Sequence, residues 1–477
     1  MKEKIIKITF IILSILLIIP SVIYLVQNRT ILGFETYYNF FINEQTNKTI
    51  STIIYLLIFI SLTILYFIII KQHKIFKDIK QILIYVAIIS LIFCIMLPWT
   101  SSDIFYYMGV GEIDAKYGQN PYYVTIEEYY NQNSQNLQDT ILEQASKNVW
   151  SNTTVVYGPI AQLIFKICTA ISLKNVNICL VIFKIINIII HLANCYLIYK
   201  ICHKKIFSII YGINPFVLIE FIGNVHNDII IVFFVLLSLY ILLKKKNIIL
   251  SIIFLALATG IKYFTILLLP IIVLYYFRKE EKISMRILRC IQYGIIFILM
   301  FALEYIMYFK DINVIIAMLP QTERYSKSIY SALSQIDLRT MYIVKGSIIT
   351  IFVYVAISTY IKYLIKPEDK TMKMLRKYNL ILILFILILT NCQQWYLVWL
   401  FATIMWQKPN TIKNIIALGP ITEIANTIYM FKSEYYIYDT YFVGCIICLF
   451  IIWQIITNNK KIYNIEKTRN VGREKIG

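Results

Sequence analysis

Apolar runs of about 20 residues recur along almost the whole chain, and short basic clusters separate them. Hydrophobic residue types make up 59% of the 477 residues, and the mean hydropathy is +0.70. An apolar run of this length crosses the hydrocarbon core of a bilayer as a helix, because a helix satisfies all of its own backbone hydrogen bonds. The sequence therefore predicts an all-α fold, a polytopic transmembrane helical bundle with about 13–14 membrane segments.

The formal net charge of +20 comes from basic clusters between the apolar runs, such as Lys244–Lys246. This distribution follows the positive-inside rule and does not indicate a nucleic-acid partner. The nine cysteines fall in or beside predicted spans, so no disulfide framework is expected. We expect a multi-pass protein of the cell membrane, with membrane lipids around it.

The longest stretch without a clear span runs from Pro98 to Pro159, and it is acidic in a basic protein. Between residues 99 and 156 it carries seven acidic residues and two basic ones. Asp103 lies within a few residues of a predicted membrane boundary, where a carboxylate is costly without a functional or structural reason. We expect this loop to lie outside the membrane and to hold the chemistry.

The charge pattern divides the chain into three regions. Residues 1–80 form an N-terminal two-span segment, residues 81–457 a catalytic transmembrane domain, and residues 458–477 a basic cytoplasmic tail. Within the domain, 98–176 is predicted to be the outer catalytic loop with juxtamembrane helices, and 309–340 a second outer loop. The helix at 157–172 is expected to lie on or partly in the outer surface, because a crossing there would leave the next basic cluster outside.

Two short helices that break near Gly260-Ile261-Lys262 are predicted within residues 247–277. That range is too long for one simple span and has basic residues at both ends. Lys262 is then a single charge in a long apolar stretch, and its burial calls for an anionic partner such as a lipid phosphate. The alternative is that the aliphatic part of the Lys262 side chain extends through the apolar region, so that the ammonium group reaches the membrane interface.

Unusual polar residues gather at the predicted outer ends of the spans, which suggests one cavity that opens outward. Asp103 could take a proton from a hydroxyl, or it could belong to a helix N-cap with Ser101 and Ser102. Glu112 and Asp114 could line the same cleft or form a solvated helix face. Arg324 lies in the second outer loop, where it could face a donor phosphate.

His226, Asn227 and Asp228 form the densest polar triplet beside a span. They could bind a substrate hydroxyl, a phosphate or a divalent cation, or they could cap the following helix. One histidine and one aspartate give a weak metal signal, because a closed site needs more ligands. No cofactor is therefore predicted, and a divalent cation stays an open alternative.

Gln394, Trp395 and Tyr396 combine an amide with amphipathic rings at an interface. Such a set suits a sugar, although it also matches the ordinary aromatic belt of a membrane protein. Together, the outer acid, the lone lysine and the amide beside aromatic rings fit one reaction. An acceptor hydroxyl attacks the anomeric carbon of a lipid-phosphate sugar, a carboxylate takes its proton, and a cation stabilises the leaving phosphate.

The chain resembles the GT-C superfamily of polytopic glycosyltransferases, and within it the polyprenol-phosphate-mannose-dependent α-1,6-mannosyltransferases. The matching residues lie in the same order over about 300 residues. They are Ser102-Asp103-Ile104-Phe105-Tyr106-Tyr107, Gly118-Gln119-Asn120-Pro121-Tyr122, Tyr157-Gly158-Pro159, Asn214-Pro215, Glu220, Gly223-Asn224, His226-Asn227-Asp228, Lys262, Pro270 and Gln394-Trp395-Tyr396-Leu397-Val398-Trp399. Gln393 stands where relatives are expected to have proline.

The resemblance implies a GT-C-type bundle and an inverting transfer of a hexose, most simply mannose, from a polyprenyl-phosphate donor to a glycan or lipid acceptor on the outer face. It implies Asp103 as the catalytic base and Tyr157 among the substrate-binding residues. The alternative is a transporter or flippase of lipid-linked sugars, which would be expected to show internal repeats. We find none in the sequence, and a structural membrane protein is the third reading.

Overall fold

Every regular element in the described part of the chain is a helix, as predicted. The computed structural model describes residues 2–28, 45–98, 100–134, 139–277, 281–312, 314, 327–366 and 371–429. The earlier helices are α1 (Lys2–Asn28), α2 (Gln45–Lys71), α3 (Ile79–Cys94), α4 (Asp103–Tyr117), α5 (Ile126–Asn133), α6 (Thr140–Ser146), α7 (Pro159–Ala170) and α8 (Val176–Cys202). The later helices are α9 (Lys205–Gly212), α10 (Pro215–Leu218), α11 (Asp228–Tyr240), α12 (Ile248–Thr259), α13 (Leu269–Tyr276), α14 (Ile283–Glu304), α15 (Ile329–Ile336), α16 (Leu338–Ile365), α17 (Thr371–Ile388) and α18 (Pro409–Tyr429). Two π-helical turns follow α10 and α11 (Ile219–Gly223 and Ile241–Lys245), and 3-10 helices lie at His73–Ile75, Tyr263–Leu268 and Gln394–Trp406.

Five of the described helices are long and apolar enough to cross a membrane, and one bent pair of helices would make a sixth. The five are Glu3–Val26, Thr52–Lys71, Val176–Cys202, Ile283–Glu304 and Leu338–Ile365. The prediction of an all-α polytopic membrane protein is therefore confirmed. The basic tail predicted at 458–477 lies outside the described residues. The count of about 13–14 segments and the domain bounds stay predictions.

The predicted outer loop, residues 98–176, folds into four short helices, α4 to α7, because each begins at a residue suited to a helix N-terminus. Thr125 forms a capping box with Glu128, and the Asp139 side chain accepts hydrogen bonds from the first backbone N–H groups of α6. Pro159 opens α7, where its missing N–H costs nothing. Helix α7 is 12 residues long, which is about 18 Å and too short to cross a bilayer as a straight helix.

Helix α9 and the segment Pro215–Gly223 form the bent span, with an angle of 52° between its two parts. Pro215 cannot donate a backbone hydrogen bond, and its ring disfavours a continuous helix. The side chain of Asn214 caps the new start by accepting from the Phe216 N–H at 3.1 Å. After α10 the chain widens into the π-helical turn Ile219–Gly223, so this span ends in irregular backbone.

The predicted break in 247–277 is present, between α12 and the 3-10 helix that begins at Tyr263. The break docks on the outer loop through its backbone. The N–H of Gly158 donates to the Ile261 carbonyl at 3.1 Å, and the N–H of Ile160 donates to the Gly260 carbonyl at 2.8 Å. A Cβ atom on Gly158 would overlap the backbone of Gly260, so glycine permits this approach. The contact brings Lys262 beside Tyr157.

Candidate active site

Asp103 begins α4, and its carboxylate lies at the edge of a buried polar cluster. The indole N–H of Trp150 donates to Oδ1 of Asp103 at 3.3 Å. The preceding turn is held by the Asn148 side chain, which donates to the Ser102 carbonyl at 2.7 Å. The Asp103 side chain stays 16% exposed. A carboxylate in this position is held in place yet accessible to a small hydroxyl.

His226 lies behind Asp103 and is fully buried. Its Nδ1 is 3.7 Å from Oδ2 of Asp103, and its Nε2 is 3.2 Å from Oε2 of Glu220. The imidazole stacks on Trp395, with ring centroids 3.7 Å apart and an interplanar angle of 18°. Val225, the residue before it, has a φ of 64°, which is strained for a β-branched side chain. The turn therefore carries strain where it sets the position of the histidine.

Glu220 is fully buried and is surrounded by hydrogen-bond donors. The amide of Gln394 donates to its Oε1 at 3.0 Å, and the amide of Asn224 donates to its Oε2 at 3.2 Å. Lys327 donates to Oε1 of Gln394 at 3.1 Å, which fixes the direction of that amide. Donors on this carboxylate favour its ionised form, because each bond is stronger to the anion.

Asp228 and Lys262 form a buried ion pair in which both carboxylate oxygens contact the ammonium nitrogen, at 2.8 and 3.0 Å. The indole N–H of Trp399 donates to Oδ1 of Asp228 at 2.7 Å. The Lys262 nitrogen lies 4.4 Å from the ring centroid of Tyr396 and 5.7 Å from that of Tyr157. These aromatic faces stabilise the cation further. The Asp228 side chain is fully buried, and that of Lys262 is 16% exposed.

Tyr157 connects the two parts of the cluster. Its hydroxyl donates to the hydroxyl of Tyr107 at 3.3 Å. Burial, followed by the negative charge of Asp103, raises the pKa of Tyr157 well above its usual value. The phenol is therefore a neutral hydrogen-bonding group at physiological pH. Asn227, buried next to Asp228, has no hydrogen-bond partner for either side-chain amide atom within the described structure. That amide is available to a substrate.

Helix α8 supports the cluster from behind with polar side chains spaced along one face. The ammonium of Lys184 donates to the carbonyls of Met96, Ile222 and Gly223 at 2.6, 2.9 and 3.0 Å. The Asn187 amide donates to the Phe221 carbonyl at 2.8 Å, and the His191 imidazole contacts the Gly212 carbonyl at 2.9 Å. The bent span ends in carbonyls without helical partners, and α8 supplies those partners.

Glu112 and Asp114, predicted to bind substrate, belong to other clusters. Asp114 pairs with Lys166 at 2.7 Å and accepts a hydrogen bond from Tyr308 at 2.8 Å. Glu112 is fully buried near Asp139, and burial raises its pKa to about 8. Nine residues of helix separate Glu112 from Asp103, which is about 14 Å. The structure does not bring these two acids to the cluster around Asp103.

The other predicted site residues come together, apart from Arg324, which lies outside the described residues. The site also contains residues that were not predicted for it: Glu220, Lys184, Lys327 and Trp399. Lys184 and Glu220 could have been flagged as charges inside apolar runs. Within the described ranges, no group of three or more His, Cys, Asp or Glu side chains could hold a metal ion.

Comparison with known proteins identifies one family. A family model described as "Alpha-(1->6)-mannopyranosyltransferase, N-terminal domain" matches residues 12–278, which is more than half of the 477-residue chain. No curated protein matches the chain. The matched range includes Asp103, His226, Asp228 and Lys262 and ends before the 3-10 helix that begins at Gln394.

Proposed function

The chain belongs to the alpha-(1->6)-mannopyranosyltransferase family and is a membrane mannosyltransferase of the GT-C type, and from this premise we propose how it acts. The donor is a polyprenyl-phosphate mannose, and the acceptor is a hydroxyl of a glycan or lipid. The site faces the outside of the cell membrane, and transfer proceeds with inversion at the anomeric carbon. Asp103 is the general base.

One observation carries this proposal. Asp103 and Lys262 each keep 16% of the side chain exposed, while Glu220, His226 and Asp228 beside them are fully buried. A substrate that enters the cluster thus meets a carboxylate and an ammonium group. A transfer from a sugar phosphate needs this combination, because one group takes a proton and the other faces the phosphate.

The proposed step balances as follows. The acceptor oxygen forms a bond to the anomeric carbon, and the bond from that carbon to the phosphate oxygen breaks. The hydroxyl proton passes to Asp103, and the electron pair leaves with the polyprenyl phosphate. A β-linked mannosyl phosphate gives an α-mannoside. Polyprenyl phosphate is a good leaving group, so a positioned cation is sufficient and no strong general acid is needed.

Lys262 is the proposed cation for the donor phosphate. Its ammonium carries three N–H donors, and Asp228 is the anion that offsets its charge in the free protein. The N–H donor that Asp228 does not use, and the exposed part of the Lys262 side chain, can bind the donor phosphate. Tyr157, Asn227, Gln394, Trp395 and Tyr396 are proposed to line the sugar site, where aromatic faces and amides suit the two faces and hydroxyls of a hexose.

Sugar transfer in membranes tests the proposal. Membranes with wild-type protein and with Asp103→Asn, at matched protein levels, receive radiolabelled polyprenyl-phosphate mannose, and labelled glycan or lipid products are counted. We expect Asp103→Asn to lower kcat by at least about 100-fold while donor binding is retained. Asp78→Asn is the matched control, because Asp78 caps α3 and asparagine caps equally well. Normal transfer by Asp103→Asn would exclude it as the base, and no transfer by wild type would exclude this donor.

A further inference from the structure

His226 is aligned between two carboxylates in a way that neither helix capping nor sugar binding requires. Its two ring nitrogens face different acids, Asp103 at 3.7 Å and Glu220 at 3.2 Å. Neither nitrogen makes a hydrogen bond of good geometry in the described structure. Hydrogen bonds used in catalysis are commonly long before substrate binds and shorten in the complex. The imidazole therefore lies between Asp103 at the edge of the site and Glu220 in the interior.

The imidazole cannot easily turn away from this line. Trp395 covers one of its faces at 3.7 Å, and Phe221 meets it edge-on. Its backbone N–H donates to the Glu220 carbonyl at 3.1 Å, and its own carbonyl accepts from Asn187 at 3.3 Å. A ring fixed this way keeps the same two carboxylates as its neighbours. That is the arrangement in which one carboxylate orients a histidine and stabilises its charged form.

We propose that His226 accepts the acceptor-hydroxyl proton from Asp103 and that Glu220 stabilises the resulting imidazolium, so that the three side chains form a proton relay. This inference rests on the proposed function, in which Asp103 is the general base. It gives His226 a role through Asp103, different from the substrate contact predicted from the sequence. His226 touches no reacting atom in this scheme.

The relay is balanced in charge and protons. Before transfer, the neutral imidazole carries its proton on Nε2, toward ionised Glu220. The acceptor proton moves to Asp103 and then to Nδ1 of His226, which restores the Asp103 carboxylate. The imidazolium lies between two carboxylates until the proton leaves with water or with the departing phosphate. No oxidant, reductant or further reactant is needed.

Other charged groups around the relay set its charge balance. Glu423 of α18 lies close to Glu220 and acts on its charge, and Lys327 acts through Gln394. Lys184 of α8 binds the carbonyls of Ile222 and Gly223 just before the histidine. Asp228 and Lys262 pair with each other on the far side of Asn227. The acids that face the imidazole directly are Asp103 and Glu220, so substitution of Glu220 removes the charge that stabilises the imidazolium.

The test is the pH profile of kcat for purified full-length variants in nanodiscs, with polyprenyl-phosphate mannose as donor. The relay needs neutral His226, so wild type should lose kcat on an acid limb that reports this imidazole. Glu220→Gln should move that limb to lower pH by about one unit, because a neighbouring negative charge is lost. His226→Gln should remove the limb and lower kcat by about 100-fold, with the donor KM changed by less than about twofold.

His191→Gln is the matched control, because His191 is also fully buried, and its Nε2 contacts a backbone carbonyl and not an acid. It should keep the wild-type limb, whatever its effect on stability. If folded His226→Gln keeps the wild-type kcat and profile, or if the limb stays in place in Glu220→Gln, the relay is refuted. If His226→Gln does not fold, the Glu220→Gln shift decides alone. Failure of wild-type protein to transfer mannose would instead refute the proposed function.

Discussion

Replacing Lys184 with methionine should destabilise the protein by about 3 kcal/mol, although no substrate atom is expected near this residue. The lysine is fully enclosed in the middle of α8, and its three N–H donors match three carbonyls at 2.6–3.0 Å. Two of those carbonyls, of Ile222 and Gly223, end the π-helical turn. Carbonyls at a helix end lack internal partners and carry partial negative charge, which a cation offsets.

The magnitude follows from two opposing terms. Each buried carbonyl left without a donor costs about 1–3 kcal/mol, so three cost about 3–9 kcal/mol. Burying the ammonium costs several kcal/mol, which methionine would recover. Methionine keeps most of the volume but leaves the carbonyls without a donor, and the difference is a loss of about 3 kcal/mol.

Unfolding in mixed detergent micelles with increasing SDS, followed by circular dichroism, measures this loss. Lys200→Met is the control on the same helix, because Lys200 is partly exposed and its nitrogen lies over the Tyr196 ring at 5.3 Å. It should change stability little. A Lys184→Met protein within about 1 kcal/mol of wild type would refute the argument that the ammonium holds the end of the bent span.

Two further predictions concern the outer loop. Gly111→Ala should lower stability by about 1–3 kcal/mol, because its Cβ would lie 2.6 Å from the Phe165 carbonyl oxygen. A Cβ atom on Gly346 would meet open space, so Gly346→Ala should be neutral or stabilising. Equal melting temperatures of the two variants would contradict this. The Glu112 pKa is raised by burial from 4.5 to about 8, so its contribution to stability is full below about pH 4.5 and is lost as pH rises through about 8. Melting curves from pH 6 to 9 should fall less for Glu112→Gln than for wild type or for the exposed-site control Glu127→Gln, and parallel curves would exclude Glu112 as the cause.

The sequence predicted the membrane bundle and much of the cluster, because a charge in an apolar run is costly and needs a partner. That argument identified Lys262 and, at the loop boundary, Asp103. It did not identify the partner of Lys262. A lipid phosphate was expected, whereas the structure pairs the ammonium with Asp228. The pairing depends on how a hairpin break and a neighbouring span meet, which no local pattern encodes.

Lys184 was missed although its signal was present. Lys184, Asn187, His191 and Asn194 are spaced by three or four residues along α8, so they share one helix face. A polar stripe inside a 27-residue span predicts buried partners. Lys184, Asn187 and His191 each contact backbone carbonyls of the bent span, and these carbonyls lack helical partners because the chain breaks at Pro215. The helix alone could not show which carbonyls would be exposed.

Glu112 and Asp114 show how residues that are near in sequence can be carried apart in space. Asp103 begins a helix, so acids nine and eleven residues later are carried about 14–17 Å along its axis. Asp114 pairs with Lys166 of α7, and Glu112 lies near Asp139, the residue that caps α6. Because residues 103–117 form one helix, Glu112 or Asp114 could share a site with Asp103 only if the substrate were long enough to reach both ends of that distance.

Two breaks in otherwise apolar helices explain why the site forms where it does. The break after Pro215 ends in the strained turn that carries His226, and the break at Gly260 delivers Lys262. Each break frees backbone groups that must be satisfied away from water. Lys184 satisfies one set, and the N–H groups of Gly158 and Ile160 satisfy the other. The residues that repair the broken helices also fix the positions of the chemical groups, so loosening either break should reduce stability and transfer together.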